Sequence, residues 1–278
     1  MLANTGELVA AAARDQIGVG AFNVITLEHA EAIVEGAARV GVPAILQLSE
    51  NAIGYHGGRA APLAAACVAL AQAAPTPISV HLDHVEDGEL ARSAADLGVS
   101  SVMFDASALD FADNVAATAE FVRWAHPLDI WVEAELGAIG GKDGAHAPGA
   151  RTDPDEAVGF VAATGVDALA VAVGSSHAMT TRTAALDHDL IAALATAVTV
   201  PLVLHGSSGL PDDELRRAVA GGLTKINIGT LLNRAFTASV RGELQAHPDL
   251  VDPRKYLGPA RGAVAAAVAD ALVVLTGG

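Results

Sequence analysis

A chain of 278 residues that is 52% apolar and 17% charged has too much core-forming material for a disordered or fibrous protein. Its net charge of −16 excludes a nucleic-acid partner, because a phosphate backbone calls for a basic surface, and gives anionic metabolites no long-range attraction. Cys67 is the single cysteine, so an internal disulfide is ruled out, which fits a reducing cytoplasm.

The N-terminus carries no positive charge before Arg14, which argues against a signal peptide. Residues 18–24 (GVGAFNV) form the first β-type run, followed by an amphipathic stretch at 27–40 and a second run at 44–49 (AILQLS). The longest apolar stretch, 60–74, carries Gln72 and is too short to span a membrane, so no membrane partner is expected. Cys67 lies inside it and reads as core. Runs at 78–84 (ISVHLDH) and 101–107 (SVMFDAS) follow, with helical patterns at 86–97 and 114–124. After 130–137 (IWVEAELG) comes a glycine-rich, aperiodic loop, 140–151. Asp153–Pro154 then opens a helix over 154–164. The last three runs are 168–174 (ALAVAVG), 201–207 (PLVLHGS) and 224–230 (TKINIGT), with a helix at 212–220. Eight strands alternating with helices predict α/β class and a single (β/α)8 TIM barrel; an open doubly wound sheet is the alternative. One domain is expected over 1–278, with a C-terminal helical extension from about 250.

Each strand begins apolar and ends polar: Asn23, Gln47 with Ser49, Asp83 with His84, Asp105 with Ser107, Glu133 with Glu135, Ser176 with His177, His205, and Asn227. Strand C-termini converge at one mouth of a barrel, so these ends predict a single pocket. His84, His177 and His205 follow strands three, six and seven, and three imidazoles at one mouth are suited to zinc (Zn2+) with a coordination position left open. His81 competes with His84, which is nearer the strand end. Asp83, beside a metal, could transfer a proton. Glu133 and Glu135 share one face of strand five. They read either as a salt-bridged barrel interior or, with few lysines and no arginine on the strands, at least as well as a second metal position, which Asp105 could share. The segments 205–209 (HGSSG) and 227–230 (NIGT) read as a phosphate cradle of free N–H groups. Only Lys142, Lys225 and Lys255 are lysines. Lys225 falls near the start of strand eight, the wrong end for a Schiff base, so a Lys225→Ala variant is expected to stay active and carbonyl activation falls to the metal.

These motifs, with AVGSSH at 172–177, VEAELGAIGGKDG at 132–144 and DPRKYLGPAR at 252–261, resemble the class II ketose-bisphosphate aldolases from end to end. The resemblance implies a catalytic zinc on His84, His177 and His205, with Glu135 a further ligand and Asp105 with Glu133 a buried alternative site. It also implies a second divalent ion and an activating monovalent cation. Asp83 matches the acid/base acting on the C4 hydroxyl, and Asp143 the carboxylate that exchanges the C3 proton. Asn23 and Asn227 match substrate contacts, with Ser49 beside them at the mouth. Gly206, Ser208, Gly229 and Thr230 match the first phosphate site. Arg254 matches an arginine reaching a neighbouring subunit's phosphate, which implies a homodimer or homotetramer. The departures, HGSSG for HGGSG, Ala178 after His177 and Gly229 at the strand-eight turn, touch no metal ligand but blur the substrate. Fructose 1,6-bisphosphate leads; a tagatose bisphosphate, another phosphorylated ketose and a metal-dependent phosphosugar epimerase are the alternatives.

Overall fold

The computed structural model describes residues 1–136, 151–175 and 185–277. Eight parallel strands close into one barrel in chain order: β1 (Val19–Asn23), β2 (Ala44–Ser49), β3 (Ile78–Val85), β4 (Ser101–Phe104), β5 (Trp131–Glu135), β6 (Ala168–Ala170), β7 (Leu202–Leu204) and β8 (Leu223–Ile228). β8 returns to β1 with Ala21 opposite Asn227, so the sheet has no free edge.

Helices cover the outside, and their ends follow local chemistry. Leu27–Val40 stops at Gly41 and Pro154–Thr164 at Gly165, both left-handed at φ 70° and 72°. Asp153 caps the second of these by accepting from the Asp155 and Glu156 amides at 2.9 and 3.1 Å. The pattern at 86–97 is two short helices, Gly88–Arg92 and Ala94–Leu97, because the Ser93 hydroxyl bonds back to the Leu90 carbonyl at 2.7 Å and breaks the run.

Period-two alternation sorts each strand into a side facing the helices and a side facing the barrel axis. The outer set, with Phe22, Leu46, Leu82, Val102, Val132 and Leu204, joins the helices in one large core. Cys67 is fully buried there, and burial pushes its thiol up to about 12, so it serves as packing. The inner set changes character along the axis. At the N-terminal end it is apolar, with Val19, Ala21 and Ile45 closed from below by Val9 and Ala12 of helix Thr5–Asp15. Further up it is polar: His81, Asp83, Glu133, Glu135, Lys225 and Asn227 are all buried.

The C-terminal extension is one long apolar helix, Arg254–Thr276, whose extent the sequence did not mark because Arg254, Lys255, Arg261 and Asp270 interrupt its run. By length and composition it could cross a membrane, with a mean hydropathy of 1.5 over its best window. In this fold Val264, Val268 and Leu272 are buried against the barrel. It lies so close to Leu27–Val40 that a Cβ on Gly36 would stand 2.6 Å from the Ala265 carbonyl oxygen. A glycine is required there by close approach.

Candidate active site

β3 carries two adjacent residues, Asp83 and His84, into the same mouth, which regular pleating forbids. The structure shows how. The β3–β4 register shifts between Leu82 and Val85, and His84 adopts φ 47°. Gln16 and Asp129, the other described non-glycine residues with positive φ, lie at helix ends; His84 lies within a strand. Such a conformation costs on the order of 1–3 kcal/mol and persists only where the surroundings enforce it.

Asp83 is 2% exposed and is held by three side-chain amides. Asn23 Nδ2 and Gln47 Nε2 donate to its Oδ2 at 3.2 and 3.3 Å, and Asn227 Nδ2 donates to Oδ1 at 3.3 Å. Gln47 also donates to Asn23 Oδ1 at 3.1 Å, which ties the two amides together. Burial alone would favour the neutral acid, but His84, Lys225 and His205 outweigh it and hold the carboxyl below its ordinary value. Asp83 is therefore an ionised acceptor facing the mouth.

Among the described residues, His84 and His205 are each oriented by a carboxylate. His84 Nδ1 donates to Asp105 Oδ2 at 2.8 Å, while Ser107 donates its amide and hydroxyl to Asp105 Oδ1 at 3.1 and 2.6 Å. His205 Nε2 donates to Glu133 Oε1 at 2.9 Å, and its Nδ1 lies 3.2 Å from Glu135 Oε2. Burial would lower the His205 pKa, yet its two carboxylate partners raise it to about 10. The two rings stand edge to face with centroids 4.7 Å apart.

Zinc fits this donor set. Ligand atoms of Asp83, His84 and His205 lie within 4.8 Å of one another, as do those of His84, Asp105 and Glu135. A carboxylate fixing the far nitrogen of each histidine is the usual support for a metal-binding imidazole.

Of the two readings open for Glu133, the structure shows the ion-paired one. Lys225 is 0% exposed, and its Nζ lies 2.8 Å from Glu133 Oε2 and 2.7 Å from Asn227 Oδ1. The missing basic partner is thus a lysine rooted low in β8 whose long side chain reaches a layer higher. Despite burial, Lys225 and His205 hold Glu133 well below the ordinary carboxylate range. Removing one member of such a buried pair costs about 3–5 kcal/mol, because it strands the other charge. The expectation that Lys225→Ala leaves the protein active conflicts with this geometry. His81 sits alongside, its Nδ1–H donating to Ser101 Oγ at 2.8 Å, and the Ser101 hydroxyl donates in turn to Thr5 Oγ1 at 2.7 Å. Burial, aided by Lys225, lowers His81 to about 3, so it is neutral.

Above this layer opens a cleft of about 230 Å³, lined by Asn23, Ser49, Asp83, His84, Gly206, Ser208, Asn227, Gly229 and Thr230, and by Gln47 and Asn233. Its far wall is the start of helix Thr230–Ala246, whose N-cap Gly229 supplies no capping side chain. Backbone N–H groups at such a terminus attract an anion. Gly206, at φ 68°, turns the chain after His205 into the same wall. A Cβ on Gly229 would lie 2.7 Å from Asn23 Oδ1, so that glycine keeps room for the amide that holds Asp83. Gly229→Ala should lower kcat/KM about 10²-fold through this displacement, as checked by steady-state kinetics on a zinc-replete, folded variant.

The structure does not bring the remaining three sequence candidates into the described site. His177 and Asp143 lie outside the described residues. Arg254 is away from the cleft, its side chain 88% exposed and bonded to Asp252 at 2.8–3.2 Å. Gln47 and Lys225 are the residues the sequence undervalued. A polar side chain two positions before a strand end was the available signal for Gln47.

With this geometry established, comparison with known proteins decides the family. The model of class II fructose-bisphosphate aldolase matches residues 3–277. The chain belongs to the class II fructose-bisphosphate aldolase family. The aldolase is 41% identical to a fructose-bisphosphate aldolase of Thermus caldophilus, over 95% of this chain and 94% of that one. Its structure is similar to that of the YdjI aldolase of Escherichia coli K12, with a TM-score of 0.87, 32% identity, and 99% and 97% of the two chains covered. The fold is shared with a fructose-bisphosphate aldolase of Campylobacter jejuni, at a TM-score of 0.82 and 21% identity, over 99% and 95% of the chains. As a member of this family the aldolase is a zinc-dependent carbon–carbon lyase.

Proposed function

We propose that the aldolase cleaves fructose 1,6-bisphosphate reversibly into dihydroxyacetone phosphate and glyceraldehyde 3-phosphate, with Asp83 as its acid/base. The carrying observation is the ionised Asp83, held by three amides one peptide bond from His84 and facing a cleft that the start of helix Thr230–Ala246 lines. In cleavage Asp83 accepts the C4 hydroxyl proton as the C3–C4 bond breaks, and returns it to the aldehyde in condensation. His84, His205 and, from outside the described residues, His177 would hold the zinc, which supplies a positive charge to polarise the carbonyl and stabilise the developing enolate. Glu135 and Asp105 share a donor cluster with His84 and suit a further ligand or a second divalent ion. Gly206, Ser208, Gly229 and Thr230 receive one phosphate, with Asn23, Ser49 and Asn227 along the sugar. We assign Asp143 to C3 proton exchange.

Arg254 is offered to a neighbouring subunit in a homodimer or homotetramer. Two observations support that reading: its exposed side chain, and helix Thr230–Ala246, of which only Leu232 is buried. The whole chain would act as one cytoplasmic domain, its C-terminal helix included.

The test is a coupled assay of triose phosphate release. Activity on fructose 1,6-bisphosphate should vanish after EDTA treatment and return with zinc. Triose phosphate from a tagatose bisphosphate instead would shift the substrate. None from either sugar, with zinc bound, would overturn the proposal.

A further inference from the structure

We propose that Lys225 is a positioning residue that sets the base and the metal ligands together by bracing Asn227 and Glu133 at once. Its ammonium is fully buried and is not among the residues lining the cleft, so it stands behind the chemistry rather than in it. One hydrogen bond, 2.7 Å, runs to Asn227 Oδ1. A side-chain amide whose oxygen is engaged by a cation must turn its nitrogen the other way, and Asn227 Nδ2 is the group that donates to Asp83 Oδ1. Lys225 thereby selects the amide orientation that offers Asp83 a donor; the flipped amide would set an oxygen against the carboxylate.

The other contact, 2.8 Å, takes Glu133 Oε2, which leaves Oε1 to accept from His205 Nε2. That bond orients the ring and, with a metal bound, would keep the proton on Nε2 and turn Nδ1 to the metal. The two arms reach β5 and β8 from a single point, and their far ends are the base and a metal ligand. A methionine there would pack but brace neither. The proposal rests on the aldolase reading for its rate effects, not for its effect on metal affinity.

Lys225→Met is the first variant. Zinc affinity, measured by chelator competition without sugar, should weaken about 10-fold or more, and kcat of the zinc-saturated enzyme should fall about 10–100-fold with KM little changed. Because the competition uses no sugar, it still tests Lys225 if the enzyme prefers another ketose phosphate.

Glu133→Gln and the doubly neutral Lys225→Met/Glu133→Gln variant separate bracing from charge neutralisation, and stand in if the single lysine variant fails to fold. If Lys225 braces Asn227, removing it in the Glu133→Gln background lowers kcat further even as thermal stability recovers. If it only neutralises Glu133, the double variant regains both zinc affinity and kcat towards the parent, and the proposal is overturned. Parental zinc affinity and kcat in Lys225→Met would overturn it as well.

Discussion

Asp83→Asn should lower kcat for aldol cleavage by about 10²–10⁴-fold, with zinc retained and KM changed much less. The substitution is nearly isosteric but removes the carboxylate that the three amides hold in place. Three amides donate to Asp83, and His84, Lys225 and His205 keep it charged, so the carboxylate is prepared to accept a proton from a hydroxyl at the mouth. An asparagine could accept none, and its own N–H groups would face donors. Steady-state kinetics with zinc quantified in the same sample decides the matter. Wild-type turnover in a folded, zinc-loaded Asp83→Asn protein would remove Asp83 from the mechanism.

The second large effect is expected at His84. Asparagine is the appropriate replacement, because it tolerates the left-handed backbone at φ 47° and separates loss of the ligand from backbone strain. Charge stabilisation by a bound metal amounts to several kcal/mol of barrier, and each factor of ten in rate takes about 1.36 kcal/mol. His84→Asn should therefore lose activity by about 10³-fold or more at limiting zinc. Metal content after gel filtration and chelator competition should fall in step. A variant that keeps full zinc and full activity would mean that the metal is held without β3.

What could be seen in the sequence depended on how local the cause was. Helices Leu27–Val40 and Pro154–Thr164 were legible to the residue, since a terminal glycine or an Asp–Pro start marks each boundary with nearby chemistry. The two helices within 86–97 were not, because the break is one serine hydroxyl finding a carbonyl. β6 and β7 end at Ala170 and Leu204, short of their apolar runs, where the chain leaves the sheet while still buried; hydrophobicity cannot mark that point.

At the site, the convergence of Asn23, Asp83, His84, His205 and Asn227 was readable because period-two alternation and strand ends are properties of sequence. The partners of Lys225 were not legible for a geometric reason. Counting along β8 locates its Cα, but a four-carbon side chain in a closed barrel carries the charge to another layer and another strand. The kink at His84 was equally hidden, since nothing in HLDH announces a register shift. It emerges only when β4 pairs past it, with Val85 opposite Phe104.

That kink has a consequence for how the enzyme tolerates change. Residues that cooperate across a barrel normally depend on the distance between two strands, and every substitution that shifts a helix can alter it. Asp83 and His84 are instead neighbours on one chain, so their Cα atoms are about 3.8 Å apart by covalent geometry. Thermal breathing or a repacked exterior carries base and ligand as a unit. Sequence drift in the outer helices can then accumulate with the spacing between proton acceptor and metal ligand protected by a bond rather than by packing.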